Sequence, residues 1–182
     1  MKHSDVKKFL SYFFCFFWNS FFCYIPSFYL RYLVIKYIYR ARIGKSNIHS
    51  GVKFFAPWKL KIGNGTNVQY GSFLDCRGGL IIEDNVDITL GVRILTQDHD
   101  VSSEEYITRG RPVHIRSNAV LGSFSLILPG VVVDEAAVVA AGSVVTKNVA
   151  KQVICGGNPA RPLRNRDINN IRYKCSYKRP FH

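Results

Sequence analysis

The chain has 182 residues, 47% hydrophobic and 20% charged, enough for one domain with a core and unlike a disordered polymer. Its formal net charge is +13, but residues 1–44 carry seven Lys/Arg against one acid, residues 161–182 again seven against one, and the stretch between them eleven against ten. A nearly neutral body with basic ends excludes the continuous basic face of a nucleic-acid binder, and suits an anionic surface at one end and a phosphate-bearing ligand at the other. The five cysteines (Cys15, Cys23, Cys76, Cys155, Cys175) are odd in number and show no C-x-x-C spacing, which reads as reduced thiols of a cytosolic protein without a metal site.

Phe9 to Ile25 is apolar and crowded with aromatics, interrupted by Ser11, Asn19 and Ser20; Pro26 breaks it, and Tyr29 to Tyr39 resumes with Arg31 and Lys36 inside. A spanning helix needs roughly 20 consecutive apolar residues, and this run falls short. Lys7 and Lys8 could flank a signal peptide, but no A-x-A-like cleavage site follows. Residues 1–42 therefore predict two short helices bent at Pro26. They either lie on a bilayer interface or pack as a lid on the end of the next domain or on a neighbouring subunit.

From Ile115 the sequence reads in sixes without a gap: IRSNAV, LGSFSL, ILPGVV, VDEAAV, VAAGSV, VTKNVA. The first place is always a branched aliphatic (Ile115, Leu121, Ile127, Val133, Val139, Val145) and the fifth is small (Ala119, Ser125, Val131, Ala137, Ser143, Val149). The fourth is often Gly or Asn, as at Asn118, Gly130, Gly142 and Asn148. Neither a helical nor a strand period gives this pattern; a period of six marks a parallel β-helix, three hexads to a triangular coil. The aliphatic points inward and stacks on its counterpart one coil away, at about 4.8 Å. Gly or Asn supplies positive φ where the chain turns. The same frame starts at Ile62, Val68 and Leu74, and at Ile82, Ile88 and Ile94. Ile43-Gly44 opens a degenerate coil in which His49 takes an inward place.

Two interruptions break the frame. Leu80-Ile81 is a two-residue slip between coils, and Gln97 to Val113, QDHDVSSEEYITRGRPV, is a polar stretch without a hexad. A polar excursion from a regular solenoid is where function tends to sit.

The hexads, the histidine-bearing loop and the segment Gly156-Gly157-Asn158-Pro159-Ala160-Arg161 together resemble the hexapeptide-repeat acyltransferases, in the branch of maltose, galactoside and colanic-acid-type O-acetyltransferases. The resemblance covers about residues 43–166. It implies an all-β fold, a left-handed parallel β-helix over residues 43–160 with loop 97–113, between the N-terminal helices and a basic tail of residues 161–182. It also implies a homotrimer with acetyl-CoA in the cleft between neighbouring prisms and no metal. Within it His99 stands at the place of the catalytic histidine. Ser123, Ala141, Thr146 and Lys147 fall where the family lines its CoA channel, and Arg161 and Arg164 where basic residues meet the CoA phosphates. Asp75, Arg77 and Gln69 are positional choices for the acceptor. The chain departs from the pattern at Val120 and Leu121, where the family has a Trp before Gly-Ser, and at Phe124, in a place more often small.

The chemistry implied is acyl transfer from a thioester to a sugar hydroxyl. An alcohol is a poor nucleophile until a base removes its proton, and histidine, with an ordinary pKa of about 6.5, suits that work. A carboxylate or carbonyl must orient the other ring nitrogen; Asp98, Asp100, Glu104 and Glu105 are near in sequence. His114, at the loop's exit, reads as structural, and His3 and His182 are terminal. Arg161 and Arg164 read as phosphate partners, against the alternative of a solvated tail with Arg166, Arg172, Lys174, Lys178 and Arg179. A zinc hydratase would need about three ligands from His49, His99 and His114, whose spacing does not put them at one level. A non-catalytic scaffold would not need the GNPAR segment, and Gly63-Asn64-Gly65 is a repeat turn rather than a dinucleotide loop. The acceptor is expected to be a lipid-linked or polymer sugar hydroxyl in surface polysaccharide synthesis. That places the protein in the cytoplasm, associated with the inner membrane face; the alternative is the amine of a nucleotide-linked sugar.

Overall fold

The computed structural model describes residues 3–168 and 170–175; Lys178, Arg179 and His182 lie outside them. Helix α1 spans His3–Ser20, a 3-10 turn covers Phe22–Tyr24, helix α2 covers Phe28–Leu33, and a π-helical turn follows at Val34–Ile38. From Arg42 onward the chain forms strands of two to six residues, with one 3-10 turn at Pro57–Lys59.

The strands stack in parallel on three faces. The first face holds Arg42–Ile43, Leu60–Ile62, Leu80–Ile82, Val113–Ile115 and Val132–Val133. The second holds Asn47–Ile48, Asn67–Val68, Asp87–Ile88, Val120–Leu121, Val138–Val139 and Val153–Gly157, and the third Lys53–Phe55, Phe73–Asp75, Arg93–Ile94, Leu126–Ile127 and Val144–Val145. The register puts the hexad-opening residues in columns: Ile43, Ile62, Ile82, Ile115 and Val133 on the first face, and Phe54, Leu74, Ile94, Ile127 and Val145 on the third. None of these is more than 5% exposed. The fifth-place residues Ala119, Ser125, Val131, Ala137 and Ser143 are buried beside them. The slip at Leu80-Ile81 lengthens the first-face strands, where Leu80 pairs with Leu60 and Val113.

The first coil departs from the expected frame. Ile48, not His49, pairs with Val68 in the second-face column. The corner after Ile43 is one residue shorter than the corner after Ile62, so the inward place moves forward by one. Gly51, at φ +71, confirms the count, because it is the fourth place from Ile48. His49 is still buried, but under the helices: its Nε2 donates to Asn67 Oδ1 at 2.8 Å, and the Phe28 ring meets it edge-on at 5.0 Å. Fourth-place positive φ extends beyond Gly and Asn to Phe124 and Ala136, and Asn148 does not share it; its Oδ1 instead accepts from Val132 N at 2.9 Å.

The helices form a lid on the open lower edge of the prism. Asn19 reads the backbone of Phe54 twice, donating from Nδ2 to its oxygen and accepting from its nitrogen, each at 2.9 Å. Trp18 Nε1 donates to Val52 O at 2.9 Å, Arg31 Nε to Ile48 O at 3.1 Å, and Gly51 N to Cys23 O at 2.8 Å. A strand edge left unpaired would template association with other chains, and the lid pairs it. Among the described residues no helix is long and apolar enough to cross a membrane.

The upper end closes with a hairpin: Ala160–Asn165 folds back antiparallel on Val153–Gly157 through the cis Asn158-Pro159 bond. The chain then descends the corner between the first and second faces. Arg166 Nη1 donates to Asn118 O and Ala136 O at 3.2 and 3.0 Å, Tyr173 OH to Asn118 O at 3.1 Å, and Cys175 N to Asn85 Oδ1 at 2.9 Å. Arg166 is therefore a packing residue of a strap rather than part of a solvated tail.

Removing an inward side chain at mid-prism should cost far more than removing an outward one. Ile88→Ala is expected to lose about 2–5 kcal/mol, and Val138→Ala, half-buried on the outside of the same face, much less. Equal losses in denaturant titrations would contradict the assigned register.

Candidate active site

At the third coil the chain leaves the third face and does not turn directly into the first. The polar segment pairs with itself: Gln97–His99 runs antiparallel to Thr108–Gly110, with His99 opposite Thr108. These residues have no apolar side chain to bury, so an antiparallel ladder outside the prism satisfies their backbone instead. The arm's base is fixed tightly. Arg111 N donates to Thr96 O at 2.8 Å and Gly78 N to Thr96 Oγ1 at 2.8 Å. A Cβ on Gly78 would lie 2.1 Å from Thr96 O, so only glycine allows this approach. Along the arm, Asp98 pairs with Arg109 (3.2 Å) and Arg111, and Asp100 with Arg109 (3.3 Å).

His99 is exposed on the last paired rung. Its Nδ1 lies 2.9 Å from the Tyr106 carbonyl oxygen and 3.4 Å from Thr108 Oγ1. The Tyr106 ring stacks on the imidazole at 4.4 Å with an interplanar angle of 5°. A carbonyl only accepts, so this geometry requires the hydrogen on Nδ1 and leaves the lone pair on Nε2. The orienting group is thus the backbone of Tyr106; Asp98 and Asp100 are engaged by arginines. Tyr106 itself, held at φ +49, is a residue that sequence reasoning missed. The signal available was a large aromatic inside an otherwise polar excursion.

The other residues singled out from the sequence fall on two corners. Asp75 and Arg77 share the corner from the third to the first face with the arm. Asp75 is fully buried and accepts from Arg77 Nε (2.8 Å), Nη2 (3.1 Å) and N (3.1 Å), and from Thr96 N (3.3 Å). It braces Arg77 and the base of the arm and does not face solvent. Arg77, over the Phe55 ring at 5.0 Å, lines a groove of about 480 Å³ with Lys8, Tyr12, Phe14, Phe55 and Trp58. Thr146 and Lys147 lie on the same corner, above the arm. Lys147 and Arg161 come together around a cavity of about 350 Å³ at the end of the prism. Arg164 is exposed on the same closing strand; among the described residues neither arginine has a carboxylate partner. Gln69, Ser123 and Ala141 lie instead on the corner between the second and third faces. There Gln69 Nε2 donates to Asp87 Oδ1 at 3.3 Å, and Gly142 N donates to Ser123 O at 2.8 Å. Phe124, 65% exposed at φ +60, lays its ring against Gly91 on that corner.

His49 and His114 have structural partners. His114 Nε2 donates to Glu83 Oε1 at 2.7 Å, while Ser117 N and Oγ donate to Glu83 Oε2 at 2.9 Å. Burial works to raise the Glu83 carboxyl, but the bonds from Ser117 and His114 outweigh it and hold it below its ordinary value. His49, His99 and His114 thus point to three separate partners, and among the described residues no three His, Cys, Asp or Glu side chains converge on one point.

No family model matches the chain. It is 32% identical over 130 residues to WcaF of Escherichia coli, assigned as a colanic acid biosynthesis acetyltransferase, covering 71% of each chain. It is also 32% identical over 121 residues to an acetyltransferase assigned in Schizosaccharomyces pombe, covering 65% of this chain and 53% of the relative, so it spans about half that protein's length. Its fold matches a solved galactoside acetyltransferase in complex with coenzyme A with a TM-score of 0.78 at 23% identity, over 96% of this chain and 90% of the other.

The arm carries its own acid limit. Slight desolvation works to raise the Asp98 carboxyl, but Arg111 and Arg109 outweigh it and hold it below its ordinary value. A lowered folded pKa contributes order that is fully present above the ordinary carboxylate value and is lost as pH falls through the folded one. Amide exchange protection on the arm should therefore hold from neutral pH down to about 4 and fall below it. Loss of protection near pH 6 would contradict the Asp98 clamp.

Proposed function

The chain belongs to the hexapeptide-repeat acetyltransferases, and from that membership we propose that it transfers the acetyl group of acetyl-CoA to a sugar hydroxyl. The observation that carries the reading is the imidazole of His99, fixed by the Tyr106 carbonyl and ring, with no partner for Nε2 among the described residues. Nε2 takes the hydroxyl proton as the oxygen attacks the thioester carbonyl carbon. Backbone N–H groups of the coils stabilise the resulting oxyanion. The tetrahedral adduct expels the CoA thiolate, which takes the proton back from His99. The protein forms no covalent bond; holding both substrates together supplies the rest of the rate.

Lys147, Arg161 and Arg164 fit the phosphates of CoA, as exposed cations with no carboxylate to neutralise them among the described residues. Ser123 and Ala141 lie across the third face from Thr146 and Lys147. A donor site using all four needs a second prism to bridge the two corners, which supports a homotrimer with the donor in the cleft between subunits. The acceptor fits the groove below the arm, where Tyr12 and Trp58 offer aromatic surface and Lys8 and Arg77 offer charge; Gln69, on the other corner, is not part of that groove. The likeness to WcaF, named for colanic acid biosynthesis, supports a polysaccharide sugar as acceptor, and the basic, aromatic N-terminus supports its acetylation at the cytoplasmic face of the membrane.

His99→Ala should lower acetyl transfer by about 10²–10⁴-fold with CoA binding and circular dichroism unchanged. Near-normal turnover would remove His99 from the mechanism. In the same assays Arg161→Ala should weaken CoA severalfold, and an unchanged affinity would return Arg161 to a solvated role. Turnover on free, lipid-linked and nucleotide-linked sugars identifies the acceptor.

A further inference from the structure

The lid explains one face of α1 and leaves the other unexplained. Cys15 and Trp18, 5% and 1% exposed, pack onto the prism. On the opposite side Val6, Phe9, Phe13 and Phe16 recur at helical spacing and are 37–61% exposed. Their rings form a continuous ladder with the next turn: Phe9 to Phe13 at 6.3 Å, Phe13 to Phe17 at 4.6 Å, and Phe17 to Phe21 at 5.8 Å. Phe21, Tyr24, Tyr29 and Leu30 extend the exposed surface past the bend. A contiguous apolar patch of this kind marks an interaction surface.

The charge around it selects the partner. Through residue 62 the sequence holds eleven Lys/Arg and a single acid, Asp5. Lys8, Arg40, Arg42, Lys53, Lys59 and Lys61 are exposed at this end of the prism. We propose that the outer face of α1 docks the protein end-on to an anionic bilayer, with the phenyl ladder in the headgroup and acyl boundary and the surrounding cations on lipid phosphates. A second copy docked face to face would bring two strongly basic ends together, which repel. A nucleic acid would use the charge and leave the ladder uncovered.

This docking deepens the membrane-face reading of the acceptor given above. The arm bearing His99 leaves the third coil, two coil spacings or about 10 Å above the first. Lys8 and Tyr12 on α1 also line the groove proposed for the acceptor. A sugar held by a membrane phosphate would enter that groove from the side that faces the bilayer. The test reads vesicle binding rather than acetyl transfer, so either reading can fail alone.

The full chain is co-sedimented with phosphatidylcholine vesicles, with and without phosphatidylglycerol, at low and high salt. It should bind the anionic vesicles and not the neutral ones, and salt should weaken the binding. The triple variant Phe9→Ser, Phe13→Ser, Phe16→Ser alters only exposed side chains and should bind at least about tenfold less, with circular dichroism and CoA affinity unchanged. Arg42→Gln with Lys61→Gln, which leaves the helix intact, should lower binding as well. The proposal is overturned by a chain that stays in the supernatant with anionic vesicles at low salt. It is also overturned by serine or glutamine variants that bind as tightly as the parent. A third contrary result is a self-association that the serine variant abolishes, or equal binding to an oligonucleotide that it does not affect.

Discussion

Everything in this molecule depends on one repeated contact: an inward branched aliphatic every six residues, seated on its counterpart in the coil below. A two-residue strand such as Asn67–Val68 or Val138–Val139 has no stability of its own. It persists because Val68 and Val139 lie in one column with Ile48, Ile88, Leu121 and Cys155, all 3% exposed or less. Burying such a side chain contributes about 1.5–3 kcal/mol, while ordering each backbone residue costs about 1–2 kcal/mol. A single hexad is therefore unstable, and only a stack with both ends closed holds. The helical lid and the closing hairpin provide those ends, and Asn19 and Arg31 are placed to pair the lower edge.

Function requires a release from that constraint in one place. Ile94 and Ile115 keep their places in the third-face and first-face columns while the chain between them leaves the prism. The arm can be polar because it carries none of the core, and it can hold an imidazole in one orientation because its base is locked. Asp75, Thr96 and Gly78 provide that lock from within the regular coils. The buried carboxylate of Asp75 thereby links the packing of the prism to the position of a side chain outside it.

The sequence made the prism legible because its signal is a period, and a period survives local exceptions. It misplaced His49 because one deleted residue in the Gly44–Ser46 corner shifts the frame by one, and the degenerate first coil gives no second marker except Gly51. The arm was legible as the break in the repeat, and His99 was singled out within it by the family resemblance. The partner of His99 was not legible: the contact is to the main-chain oxygen of Tyr106, which any residue carries, and only the turn between Asp100 and Ile107 brings it back. Arg166 looked like one more solvated cation because the carbonyls it binds, on Asn118 and Ala136, are 48 and 30 residues away. The separation of Ser123 and Ala141 from Thr146 and Lys147 is a matter of corners, and it follows directly once three hexads are assigned to each coil.

The central claim is that the fixed imidazole on the arm meets the thioester of a donor whose phosphates lie at the far end of the prism. A crystal structure of the protein with acetyl-CoA tests it most directly. The account predicts the thioester carbonyl beside His99, with room for a hydroxyl oxygen about 3–3.5 Å from the carbonyl carbon, and the phosphates on Lys147, Arg161 or Arg164. A donor whose thioester lies away from the arm, or whose phosphates leave all three cations free, would contradict it.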